Sequence, residues 1–315
     1  MPESCHAVPR TARGGYGRLV PDPSGPTTPR GGPATATAPA RVAALARASH
    51  LGPTVVVTGL CTALAVGVGA PPPTVLLVLG VVLAGQLSIG WSNDWLDAAR
   101  DRAVGRADKP VVSGGVTPAT LRTAALVALV MSVLLSLPAG PAAVLAHGTA
   151  VAMGWAYNLG LKATVASWVP YAVAFGLFPA FVVLALPGSA LPAGWLVAVG
   201  ALLGVGAHLA NVLPDLEDDA ATGVRGLPHR LGRRRTGVLA PAVLAVAVVV
   251  AVVGPPGEPG AAPLAVGVLA VVLAATGGVA GVVRARSRLP FTLAMAVAAL
   301  CVLVLVSGGA DGAVT

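Results

Sequence analysis

From residue 51 to residue 307 the chain is a succession of long apolar runs broken by short polar stretches. Each run approaches the roughly 20 residues that a helix needs to cross the hydrocarbon core of a bilayer. The runs are 51–70, 74–92, 117–137, 141–159, 165–186, 194–213, 236–253, 262–283 and 290–307. Lipid offers no partner to backbone N–H and C=O groups, so a segment of this kind crosses as a helix that satisfies its own hydrogen bonds. A hydrophobic share of 56% with 10% charged residues removes the soluble alternative. The pattern predicts an all-α integral membrane protein with nine transmembrane helices. The 40 glycines and 28 prolines do not oppose it, because neighbouring helices in a bundle satisfy the backbone groups that such residues free.

A net charge of +8 on a soluble protein would raise the question of a nucleic-acid partner. Here the 20 Lys and Arg residues lie in the N-terminal stretch, Arg47 among them, or in and beside the loops after runs two, four, six and eight, which hold Arg100, Lys109, Lys162, Arg233 and Arg286. The intervening loops, "APPP", "PAGP", "PGSALPAG" and "GPPGEPGAAP", hold none. Positive charge stays on the cytoplasmic side, which places the N-terminus in the cytoplasm and the C-terminus outside the cell membrane. The basic balance therefore records topology and speaks against nucleic acid. Residues 1–44, rich in Pro, Gly, Thr and Arg and without a signal-peptide core, read as a disordered basic tail, and residues 45–310 as one transmembrane domain. Cys5, Cys61 and Cys301 lack metal-ligand or disulfide-framework spacing and read as small apolar residues. His208 reads as a satisfied core histidine.

The acids are not scattered. Eight of the 12 fall in two short windows: Asp94, Asp97, Asp101 and Asp108, then Asp215, Glu217, Asp218 and Asp219. Asn211, Asp215 and Asp219 repeat the spacing of Asn93, Asp97 and Asp101 at an offset of 118 residues, and both sets end an even-numbered run on the cytoplasmic side. An internal duplication of a four-helix unit accounts for this, giving two pseudo-repeated units plus one further helix. Residues four apart on a helix stack on one face, so each window presents a ladder of oxygen ligands. Carboxylates and an amide suit a hard cation such as Mg²⁺, which prefers a site completed by substrate phosphates. Acids this close repel one another unless a cation neutralises them.

These residues resemble the UbiA superfamily of intramembrane prenyltransferases. "NDWLDAARD" is similar to its NDxxDxxxD signature and "NVLPDLEDD" to its second DxxxD signature, while "DKPVVSGGVT", "GLPHRLG" and "YNLGLK" are similar to the stretches that flank them. The resemblance runs over about residues 45–307 and implies that Asn93, Asp94, Asp97, Asp101, Asn211, Asp215 and Asp219 coordinate two Mg²⁺ ions on a prenyl diphosphate. It gives Lys162 to the diphosphate, and catalysis to Asp97, Asp101, Asp215, Asp219 and Lys162. Lys109 and Arg47 either add substrate-binding charge or anchor the cytoplasmic side. Glu217 and Asp218 have no assigned part. The partners implied are a prenyl diphosphate and a hydrophobic or aromatic acceptor, a quinone precursor or a lipid-like molecule, met within the bilayer.

The chemistry so implied is ionisation to an allylic cation, with Mg²⁺ and Lys162 stabilising the charge that builds on departing pyrophosphate. A terpene cyclase of the same superfamily is the alternative. Seven of the 12 aromatic residues lie between Trp155 and Phe181, and Tyr171, Phe175 and Phe178 form a stripe that reads as helix packing rather than a cation cage. Two rivals fit less well. A CDP-alcohol phosphotransferase needs Gly where this chain has Ala98, and a cation transporter places its acids near the bilayer midplane rather than at the ends of runs two and six.

Overall fold

Prolines and glycines punctuate the chain at the starts and ends of its helices. In the computed structural model, which describes residues 38–188, 190–307 and 312–313, the order is α1 (Ala38–Ala48), α2 (Leu51–Gly67), α3 (Pro72–Leu96), α4 (Ala98–Ala103), α5 (Pro118–Ser136), α6 (Pro141–Leu159), α7 (Val169–Leu184), α8 (Gly194–Val212), α9 (Leu216–Ala221), α10 (Leu227–Val253), α11 (Ala261–Val283) and α12 (Leu289–Ser307). Proline opens α3, α5, α6, α7 and α10, where its missing N–H costs nothing. Thr117 caps α5 by accepting the Thr120 N–H at 3.1 Å. The tail read over 1–44 lies outside the described residues as far as residue 37, and its last residues, from Ala38, are helical.

The described residues form helices and no strands, as read from the sequence, and each of the nine apolar runs coincides with a helix. By length and hydropathy, six helices among the described residues can cross a membrane: α3, α5, α8, α10, α11 and α12. A seventh crossing is reached if α1 and α2, bent by 70° at residues 49–50, count as one. The nine-span count thus exceeds what length and composition support. α7 is only 16 residues long because residues 164–168 form turns, and α6 dilutes its apolar character with His147 and Asn158.

Two cores organise the bundle. One joins α2, α3, α6 and α7 around Val78, Val82, Ala150 and Phe181. The other joins α8, α10, α11 and α12 around Leu209, Leu244, Ala270 and Val297. Large apolar side chains on α5, α10, α11 and α12, such as Leu134, Val249, Val268 and Leu303, face outward, an arrangement that only an apolar surrounding favours. Without a hydrophobic drive between helices in lipid, close approach comes from small residues. Gly200 and Gly204 of α8 seat directly on the Phe175 and Tyr171 carbonyls of α7, so that a Cβ at either position would overlap them. Gly226 does the same at the head of α10, where a Cβ would lie 2.6 Å from the Lys162 carbonyl oxygen. These contacts set α8 against α7 and the head of α10 against the turn after α6.

Candidate active site

Asp97 terminates α3 with φ −85° and ψ −4°, and α4 follows at once. The break is slight. The Asp97 N–H still donates to the Asn93 carbonyl at 2.9 Å and the Asp101 N–H to the Asp97 carbonyl at 2.8 Å, so the ladder read from the spacing keeps its one-turn rise. Asp97 and Asp101 are buried, at 8% and 3% exposure. Lys162 reaches them from the short turn Leu161–Ala163 that follows α6 at Gly160, where φ is +153°. Its Nζ donates to both Asp97 oxygens, at 2.6 and 2.7 Å, and Arg100 Nη2 adds a third bond at 2.9 Å. Asp101 is less well provided: Arg100 Nε stands 4.0 Å from one oxygen, and the other, Oδ2, is buried with no hydrogen-bond partner among the described residues. Burial pushes the Asp101 carboxyl above the ordinary Asp range, with Lys109 opposing and Asp97 adding to the rise. Burial likewise lowers the Lys162 ammonium against the pull of Asp97.

The second ladder repeats this plan. α8 passes through a turn at Leu213–Asp215 into the short α9, with Asn211, Asp215 and Asp219 half-buried. Asn211 is hydrogen-bonded to the Tyr171 hydroxyl. Asp219 lies 3.7 Å from His229 Nε2. The two ladders share the same cations: Lys162 interacts electrostatically with Asp97 and Asp219, and Arg106 with Asp101 and Asp215. Tyr157, stacked edge-on against Tyr171 at 5.2 Å, feels both Asp97 and Asp219. Glu217 and Asp218 turn elsewhere, Glu217 to Arg233 at 2.9 Å and Asp218 to Arg286 at 3.5 Å, which suits two acids to which no part was assigned.

Asp94 stands apart from both ladders. It is 1% exposed, accepts from Lys109 Nζ at 2.6 Å, and lies 2.9 Å from His50 Nε2. Lys109 therefore reaches this region through Asp94. Arg47 is exposed at the end of α1 and makes no ion pair among the described residues, while His50, three positions on, occupies the inward place.

Several contributors escaped the sequence reading. Asn158 is buried and donates to the Ile89 carbonyl at 3.0 Å and to Ser92 Oγ at 2.9 Å, while its own carbonyl accepts from Asn93 at 3.2 Å, so it orients Asn93, the first residue of the first ladder. A polar side chain inside an apolar run was its available signal. His50, Arg100, Arg106 and His229 gave none, being unremarkable residues in basic loops. His208 is half satisfied: Nε2 meets Ser167 Oγ at 3.1 Å, whereas Nδ1 is buried without a partner among the described residues. The Tyr171, Phe175 and Phe178 stripe packs ring on ring, at 5.9 and 5.7 Å.

No three His, Cys, Asp or Glu side chains among the described residues converge as an all-protein metal cage. Mg²⁺ does not need one, since it is held through one or two carboxylates and substrate phosphates. The oxygen-bearing side chains of the two ladders, among them Asp101 with its orphaned Oδ2, suit that ion.

The sequence pattern of the UbiA prenyltransferase family matches residues 53–300. The bacteriochlorophyll synthase 33 kDa chain of Cereibacter sphaeroides is 35% identical over 200 residues, which span 60% of this chain and 65% of that one, just under two thirds of its length. Solved structures share the fold at low identity. A digeranylgeranylglyceryl phosphate synthase superposes with TM-score 0.63 at 15% identity, covering 86% of this chain and 99% of that one. A UbiA homologue from Archaeoglobus fulgidus bound to GPP and Mg²⁺ gives 0.61 at 16%, covering 84% and 99%. The apo UbiA homologue from Aeropyrum pernix K1 gives 0.64 at 16%, covering 81% and 97%.

Proposed function

Because this chain belongs to the UbiA prenyltransferase family, we propose that it is a prenyltransferase that ionises a prenyl diphosphate between its two acidic ladders and hands the allylic cation to a hydrophobic or aromatic acceptor. The observation that carries the reading is the Lys162 ammonium, held at 2.6 Å by Asp97 and within electrostatic reach of Asp219. A diphosphate bridging the ladders meets that ammonium on one side and Arg106 on another.

Asn93, Asp97 and Asp101, with Asn211, Asp215 and Asp219, would hold Mg²⁺ against the diphosphate. That ion, when bound, supplies Lewis-acid stabilisation of the leaving oxygen. Lys162 donates to the same developing charge, and Arg100 keeps Asp97 oriented as Lys162 turns to substrate. Asn158 fixes Asn93 in place. The isoprenoid tail runs away from these ends into the apolar bundle, which excludes water from the cation. We read all nine long helices as crossing the membrane in two related halves, with both ladders on the cytoplasmic side. The acceptor is aromatic or lipid-like, a class to which the similarity to a bacteriochlorophyll synthase chain lends support.

The test is to incubate purified protein with a panel of prenyl diphosphates, with and without candidate acceptors, in Mg²⁺ or EDTA, and to weigh the products. The expected product has the mass of acceptor plus prenyl group, forms only with divalent metal, and falls by at least two orders of magnitude in Asp97→Asn and in Asp215→Asn. Cyclic hydrocarbons formed without acceptor, or full activity in either variant, would sink the reading.

A further inference from the structure

Asp94 belongs by position to the first signature, yet its surroundings are unlike those of Asp97 and Asp101. Both of its side-chain partners come from outside α3. Lys109 lies in the loop 104–116, with Nζ 2.6 Å from Asp94 Oδ1 and 3.2 Å from His50 Nε2. His50 forms the elbow between α1 and α2 with φ 55° and ψ 58°, a left-handed conformation that a residue with a side chain adopts at a cost and that Asn, Asp and His tolerate best. The elbow is fastened on either side of that contact. Gly90 seats against the Ser49 carbonyl, and Trp91 Nε1 donates to the Leu45 carbonyl at 2.9 Å. The loop in turn lies on α1: Val111 and Val116 pack with Ala44 and Ala48, and a Cβ at Gly115 would sit 3.2 Å from that of Ala44. The same loop carries Arg106, which reaches electrostatically to Asp101 and Asp215, one acid from each ladder.

We propose that Asp94 is a docking post rather than a metal ligand, and that His50 and Lys109, gathered on it, seat the 104–116 loop so that Arg106 spans the two ladders above the diphosphate. This rests on the diphosphate-binding reading above. His50 is then a positioning residue: it touches no substrate, and acts through Lys109 and the loop. Lys162 and Arg106, which couple the two ladders, interact with Asp97, Asp101, Asp215 and Asp219, whereas Asp94 Oδ1 is taken up by Lys109 and His50, which come from the loop and the elbow.

Two readouts test this. The first is amide hydrogen exchange of the protein alone, without metal or substrate, followed at Arg106, Lys109, Val112 and Ser113, whose N–H groups are bonded within the loop or to Asp101. His50→Ala and His50→Gly should both speed exchange there by about tenfold, the loss of one charge-assisted hydrogen bond, while His50→Asn, which keeps a donor and tolerates the left-handed backbone, stays near wild type. His50→Gly relieves the backbone and carries the comparison if the alanine variant does not fold. The second readout is binding of geranyl diphosphate by calorimetry across a Mg²⁺ titration. Asp94→Asn should weaken diphosphate binding with the Mg²⁺ half-saturation point unchanged, whereas Asp97→Asn should raise that point. An Asp94→Asn half-saturation raised as far as that of Asp97→Asn, or wild-type exchange in His50→Gly, overturns the proposal. Loss of the prenyltransfer reading would instead show as unaltered binding and turnover in Asp97→Asn, with loop exchange untouched.

Discussion

Replacing Lys162 with Met keeps the length of the side chain and removes its charge. The ammonium makes two short bonds to one carboxylate in a setting where the Lys side chain is 11% exposed. Taking one partner from a buried ion pair costs on the order of 3–5 kcal/mol when nothing replaces it. Arg100 remains on Asp97 at 2.9 Å, so the loss expected without metal is smaller, about 2 kcal/mol. Added Mg²⁺ supplies a new cation for the stranded carboxylate, so most of that loss should vanish in its presence. Catalysis responds differently. A preorganised donor aimed at developing charge is worth about 2.7–4 kcal/mol, a factor of roughly 10² to 10³ in kcat. The assays are thermal unfolding in detergent with and without Mg²⁺, and single-turnover prenyl transfer at saturating diphosphate. A kcat within about threefold of wild type, or a destabilisation of equal size in both buffers, would refute the role given to Lys162.

Two further outcomes are expected. A cysteine at Ala107, exposed in the loop between α4 and α5, should react in intact cells with membrane-permeant labels only, and labelling by an impermeant reagent would reverse the topology. The Arg233 hydrogen bond lowers the Glu217 pKa, so this pair stabilises the fold above the ordinary Glu value of 4.5 and loses its effect as pH falls through the lowered folded-state value. Glu217→Gln should accordingly cost under about 1 kcal/mol near neutrality, since the carboxylate is 57% exposed, with the difference from wild type disappearing in acid; a gap that widened below that range would contradict the sign.

Asp97, Asp101, Asp215, Asp219 and Lys162 were legible because helical spacing and the 118-residue repeat act along the chain, where a sequence displays them directly. The separate surroundings of Asp94 were not legible for the opposite reason. What distinguishes it from Asp97 is a histidine 44 residues away, presented by an elbow whose left-handed backbone leaves no mark in composition or periodicity. The count of crossings was legible only in part: six helices among the described residues are long and apolar enough to cross, seven if α1 and α2 count as one. Hydropathy placed segments at α2, α6 and α7, but α7 is shortened by the turns at 164–168 and α6 carries the buried polar side chains of His147 and Asn158. Asn158 was missed because its three hydrogen bonds run to the end of α3, which no local pattern announces.

The seating of Gly200 and Gly204 on the α7 carbonyls bears on how far this protein can be diversified in the laboratory. A methyl group at either position forces α8 to slide or roll, and a roll of even a few degrees is carried down the helix to Asn211 and the turn that presents Asp215. Libraries that randomise the outward faces of α5 and α11, where Val130, Leu134, Val268 and Val272 are exposed, should therefore yield many working variants. The same effort spent on α8 should yield almost none, although Gly200 and Gly204 belong to neither ladder.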